Sequence, residues 1–295
     1  MTLARRPRLL HDAPMSHRRL VALSVLSLGV ACGPEPVFDD NIGVEAIPIQ
    51  AGAAAGTFAA KVTNTTLVKT PIGDYAGGGL NYRLLTRTWD EAAGHYTQSS
   101  VLCGGFNFEV AGITTSLPES SYRAVAPSTQ EVVEISDDGV FTQSGHLQLW
   151  GLRNLDDPFK TPLPADKDEA LSDSWSDRVF DMDDDNEPGA TTIVTGAVSG
   201  NVYIVQRKTV STAGVVLGPD HVVGLAKNTN EVVQLGNTNI LLDRSSEGSA
   251  EAHPDPKRSW FEEARLPATA DCDDVMRAED DGLLGVRPPF DVATD

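Results

Sequence analysis

Apolar and polar residues alternate with a period of two over most of this chain, and Gly, Asn and Asp clusters interrupt the alternation. Residues 57–68 are rich in Val, Thr and Phe, which favour a pleated, half-buried strand. Segments 80–88 and 96–102 flank Ala93-Gly94 and form a hairpin, with Tyr82, Leu84, Tyr96 and Val101 as inward or cross-strand residues. Residues 106–110 alternate aromatic, polar and aliphatic side chains. A second hairpin joins 132–135 to 140–142 through Asp137-Asp138-Gly139. In 146–152, Leu147, Leu149 and Gly151 fall on one face, and Gln148, Trp150 and Leu152 on the other.

Pro158, Pro162 and Pro164 break the pattern between 154 and 185, where only a short helix near 168–171 is expected. Strands resume at 191–198 and 201–210, followed by shorter ones at 215–217, 222–225, 232–235 and 240–242. A polar linker then leads to helices predicted at 260–263 and 274–278, the second N-capped by Asp271 with Asp274 in support. Many short antiparallel strands with turn signals predict an all-β fold. An antiparallel barrel, lipocalin-like in outline, or a sandwich would carry a Pro-rich excursion and a short helical C-terminal tail. The expected organisation is an export segment at 1–31, a flexible tether at 32–56, the β domain at 57–243, and a linker with a helical tail at 244–295.

The N-terminus supplies an address. His17-Arg18-Arg19 precedes an apolar run over 20–30 and then Ala31-Cys32-Gly33. A positive segment, a run too short to span a bilayer and a small residue before the break make a secretory signal peptide. Ala31-Cys32 resembles the lipobox of bacterial lipoproteins, with Gly29 where that family usually has Leu. The resemblance implies that Cys32 is acylated and becomes the first residue of the exported chain. Gly33 resembles the residue found in lipoproteins sorted to the outer membrane, and the chain as a whole resembles uncharacterised lipoproteins of Gram-negative envelopes. The start lies at Met1 or at Met15.

Without residues 1–31, which hold five arginines and one aspartate, 18 basic and 41 acidic residues remain, a formal charge near −23. Such a surface disfavours nucleic acid and anionic lipid and favours cations, so membrane attachment would run through the lipid alone. A hydrophobic content of 40% is enough for a core.

With Cys32 acylated, Cys103 and Cys272 remain, and an oxidising compartment favours a disulfide between them over two isolated thiols. Asp181, Asp183 and Asp185 alternate ahead of Asn186-Glu187-Pro188-Gly189. Carboxylates at alternate positions before a left-handed turn can wrap oxygen ligands around Ca²⁺. The segment resembles the first half of an EF-hand-type calcium loop. That likeness implies side-chain ligation by Asp181, Asp183 and Asp185 and a backbone carbonyl from Glu187. Asn186 replaces the usual Gly, and Thr192 stands where a bidentate Glu would close the site, so Asp173, Asp177 or water must complete it. A solvated acidic loop is the alternative.

His95, His146, His221 and His253 show no metal spacing, and His146 reads as a hydrogen-bonded rim residue at a strand start. No nucleophile elbow or P-loop is present. The leading expectation is a non-enzymatic envelope lipoprotein that binds a small apolar ligand or an envelope protein and carries a structural calcium loop. A purely structural or surface-interaction lipoprotein comes second, and an envelope hydrolase third.

Overall fold

The computed structural model describes residues 42–70, 73–243, 250–288 and 290. The export segment and Cys32 lie outside the described residues. In chain order the strands and helices are β1 (Gly56–Thr70), β2 (Gly73–Asp90), β3 (His95–Asn107), β4 (Ile113–Ser116), α1 (Glu119–Ala124), β5 (Ser128–Ile135), β6 (Val140–Trp150), α2 (Lys167–Ala170), β7 (Ala190–Gly196), β8 (Gly200–Gly218), β9 (His221–Asn237), β10 (Ala250–Ala252), β11 (Trp260–Leu266) and α3 (Cys272–Arg277).

The fold is all-β and antiparallel. Strands β8, β6, β5, β3, β2, β1, β11 and β9 pair in that order, and β9 pairs back to β8, so the hydrogen bonding runs round a ring. The length of β8 permits this closure. Its later part pairs with β6 while its first residues, Gly200 to Ile204, pair with β7. β9 follows β8 along nearly its whole length. Both expected hairpins form, with the second turning through Ser136 and Gly139.

Several expectations are corrected. Residues 260–263 are not a helix but part of β11, which joins β1 to β9 and closes the ring. Glu262 and Glu263 look helical in sequence because a strand would bury both. Here each finds a partner: Glu262 accepts from the Gly285 N–H and pairs with His221, and Glu263 pairs with Arg87. Residues 240–242 are a 3-10 turn capped by the Asn239 side chain rather than a strand. The short strands expected at 215–217, 222–225 and 232–235 merge into β8 and β9, because Gly214 and Gly224 face each other across the pair at close approach. Residues 42–55 are no free tether. Ile42 and Ala54 are buried, and Ile47 and Ile49 donate backbone hydrogen bonds to Val216 and Asp137. Helix α1 and strand β4 were not foreseen.

The Pro-rich excursion packs Leu152, Ala170, Trp175 and Val179 against the outer face of β8 and β9. Arg207 fixes it there by a forked ion pair to Glu231 (2.9 and 2.7 Å) and a bond to the Thr161 carbonyl (2.7 Å). The C-terminal tail follows its expected caps. The Asp271 side chain accepts from Asp273 and Asp274, and Asp274 reaches back to Asp271. The Cys103–Cys272 disulfide, Cα atoms 5.0 Å apart, ties α3 to β3.

Inside the ring, one end is apolar: Val62, Tyr96, Val133, Phe141, Val210, Val222 and Phe261 pack with Ala54. Arg265 closes this end by donating to the carbonyls of Ala53, Ala55 and Pro219 while lying over Phe58. The far end is covered by Leu102, Tyr122, Val125 and Trp150, with Tyr122 edge-on to Trp150. Charged and amide side chains fill the interior between these two layers.

Candidate binding interior and acidic loop

The polar interior is built by strand alternation. Residues 83, 85 and 87 of β2 point inward, while Tyr82 and Leu84 lie on the outer face with Val275 of α3. Of the residues expected inward or cross-strand, Tyr82 and Leu84 are not inward, and Leu84 lies directly across the ladder from Val101. Inward residues on β3 are Tyr96, Gln98, Ser100 and Leu102. On β6 a register shift between Gln143 and His146 inserts an extra residue. Gly145, at φ 80°, takes the left-handed backbone this requires. The bulge lets Gln143 above it and His146, Gln148 and Trp150 below it all face inward. His146 therefore sits inside the ring and not on its rim.

Arg87 and Glu131 are the two centres of the network. Arg87 donates to Gln98 (2.9 and 2.6 Å) and to Glu263 (2.6 Å), passing over β1, between the rings of Phe58 and Phe141. Glu131 accepts from Gln98 (3.0 Å), Ser100 (2.7 Å), Gln143 and His146 Nδ1 (2.6 Å). His146 Nε2 faces the Gln148 amide nitrogen at 3.1 Å. That pattern fixes one tautomer: Nδ1 carries the proton and Nε2 accepts. Burial pushes His146 down to about 4, Arg83 pushes the same way, and Glu131 opposes both, so the ring is neutral at pH 7. Burial alone would raise Glu131, but its hydrogen-bond donors and the Arg83 charge outweigh that and hold it ionised.

Ser100, His146 and Glu131 are the residue types of a hydrolytic triad, but their arrangement cannot run one. A relay needs the nucleophile on one ring nitrogen and the acid on the other. Here Ser100 and Glu131 share Nδ1, and the Ser100 hydroxyl donates to Glu131. The geometry describes a structural hydrogen-bond cluster.

Toward the covered end the network is incomplete. All three guanidinium nitrogens of Arg83 are buried, and none meets an acceptor among the described residues. Gln148 Oε1 and Trp150 Nε1 are buried without partners as well. Lys208 lies directly across the β6–β8 ladder from Gln148. Burial, then the Arg83 charge, lowers its ammonium to about 8. Lys208 is partly buried on the inward face of β8. Arg83 and Lys208 do not stand out in the sequence, whereas Gln148 and Trp150 are expected on one face of their strand. Arg83 and Arg87 at i and i+4 of a strand were the signal available, because an inward face normally excludes charge.

The acidic loop brings its three alternating aspartates together. Ligand oxygens of Asp181, Asp183 and Asp185 lie within 4.8 Å of one another. Asp184 and Asn186 are left-handed, at φ 60° and 69°, which folds the carboxylates to one side. Asp181 accepts from the N–H groups of Asp185 (3.2 Å) and Asn186 (2.8 Å), and Glu187 donates its N–H to Asp185 (2.9 Å). Thr191 donates to Asp183 through its N–H and to Asp185 through its hydroxyl, and Ser121 of α1 donates to Asp183 (3.0 Å). Asp183 Oδ1 is buried and has no donor among the described residues. The converging side chains include neither of the further candidates Asp173 and Asp177.

No family model, curated protein or solved structure matches this chain.

Proposed function

We propose that this chain is a non-enzymatic binding protein of the cell envelope, anchored by an acylated Cys32 and exported to the outer membrane, that takes a small ligand inside its ring of strands. The observation that carries this reading is the set of buried, unpartnered polar groups at one end of the interior, Arg83 above all. An unpartnered buried polar group costs about 1–3 kcal/mol, and a charged one more, so a fold retains such groups where a ligand satisfies them. The polar lining replaces the small apolar ligand expected from sequence with a polar one. The Ser100, His146 and Glu131 geometry argues against the hydrolase.

The acidic loop has a supporting role in this reading. Ca²⁺ held by Asp181, Asp183 and Asp185 would brace α1, the excursion and β7, the elements that cover the ligand end. Thr192 supplies no closing carboxylate, so the affinity belongs in the extracellular range of about 10⁻⁴–10⁻³ M.

The test of the binding reading is native mass spectrometry of the full chain purified without denaturant, with a thermal-shift screen of neutral, anionic and cationic small molecules. A small molecule released on unfolding, or a panel member that raises the melting temperature, supports the reading. An empty chain that no panel member stabilises overturns it.

A further inference from the structure

We infer that the group recognised inside the ring is a carboxylate, held between Arg83 and Lys208, with the Trp150 indole N–H as a third donor. This rests on the binding reading above and assigns its ligand class. The inner face places the donors together. Arg83 lies across from Leu102, which shares a buried cluster with Trp150. Trp150 lies two residues along β6 from Gln148, and Gln148 lies opposite Lys208. Arg83 is buried with five N–H donors in a planar fork, the geometry that matches a carboxylate in two parallel bonds.

The charge balance of the interior points to a single negative charge. Arg83, Arg87 and Lys208 are cationic, Glu131 and Glu263 are anionic, and His146 is neutral. Arg87 is committed to Glu263 and Gln98, and Glu131 already accepts four bonds. One positive charge is left over, on the fork that has no acceptor. A monoanion closes the balance, whereas a phosphate at about −1.5 to −2 exceeds it. Gln148 Oε1 remains as an acceptor for a Lys208 ammonium proton.

The β11–β9 ladder runs from His221 to Leu225, and Ala226 N–H then donates to the Ser259 carbonyl just ahead of β11. Beyond Ala226, β9 has β8 as its ladder partner, while residues 258–259 bond Thr65 of β1 and β10 pairs with β1 from Thr66 to Val68. Asn228 and Asn230, on the inward register with Lys208, are half-buried and exposed respectively. Asn230, the partner of Lys208 across the β8–β9 ladder, thus brings the inward face of β9 to solvent beside Lys208.

Arg83→Met is the informative variant. It keeps the stem, removes the leftover charge and leaves the interior balanced, so the free chain should melt at the same or a higher temperature. The full chain and the variants Arg83→Met and Lys208→Met are titrated with acetate, benzoate and octanoate. Phosphate, octanol and octylamine at matched ionic strength serve as controls. A free small carboxylate and a fatty-acid head share this chemistry, and the acetate, benzoate and octanoate arms separate them. The expected result is saturable stabilisation by at least one carboxylate, no effect of the controls, and affinity lowered at least tenfold by each substitution. Three results overturn the assignment. Equal stabilisation by carboxylate and phosphate in all three proteins is a general salt effect. Arg83→Met that melts well below the parent with unchanged affinity makes Arg83 structural. Saturable binding of octanol or octylamine without any carboxylate binding keeps the binding protein and rejects the carboxylate.

Discussion

Arg87 and Glu263 form an ion pair of 2.6 Å across the interior, with both side chains fully removed from solvent. The pair links β2 to β11 over the intervening β1, so it bears on how the ring closes. Removing one partner leaves a buried charge. Glu263→Gln is expected to lower unfolding stability by about 3–5 kcal/mol, and Arg87→Met with Glu263→Met together to recover much of that. Urea unfolding of the two single variants and the double variant checks it. Equal losses in the single and double variants would show that packing, not the charge pair, is what matters.

The Cys103–Cys272 bridge ties α3 to β3 across a sequence separation of 169. Replacing both cysteines by Ser is expected to cost about 2–5 kcal/mol. It should also raise hydrogen exchange in residues 272–285 before the ring opens. Uniform exchange in the variant and the parent would contradict the local part of this prediction.

Millimolar Ca²⁺ is expected to raise the melting temperature over the chelator-treated chain, by linkage to the folded state. Asp183 carries the buried oxygen without a donor, so Asp183→Asn should lose the response. Identical melting curves with Ca²⁺ and with chelator would leave the loop a hydrogen-bonded acidic turn.

Stability is expected to fall as pH drops from about 6.5 to 4. The unfolded chain protonates His146 near its ordinary 6.5, while the folded chain holds it neutral to about 4, so protons favour unfolding in that window. The effect is roughly 3 kcal/mol at full extent. Arg83 and Lys208 face His146 and reinforce it, Glu131 opposes it, and Ser100 and Gln148 do not titrate. From its ordinary 4.5 downwards, Glu131, held ionised in the fold, adds to the acid loss. Denaturant unfolding at pH 7 and pH 4.5 for the parent and His146→Gln is the check. The variant should show the shallower pH dependence.

Cys32→Ser is expected to move the chain from the detergent phase to the aqueous phase in a two-phase partition and to remove an acyl mass from the N-terminal peptide. Equal partition of both proteins would show that the Ala31-Cys32 resemblance is fortuitous.

Local chemistry was legible along the chain, because it depends on neighbours a few residues apart. The turn at Asp138-Gly139, the Asp271 cap with Asp274, the left-handed Asn186 and the clustering of Asp181, Asp183 and Asp185 all belong here. Period-two alternation made the fold class legible too, and cysteine parity the disulfide. The interior was decided only by tertiary structure. Whether residue 83 or 84 faces inward depends on where α3 packs, and His146 faces inward because of a bulge at Gly145. β11 reads as a polar helix until Arg87, 176 residues away in sequence, arrives to neutralise Glu263. A buried charge is tolerable only beside its partner, and partners so distant in sequence meet only when the ring closes.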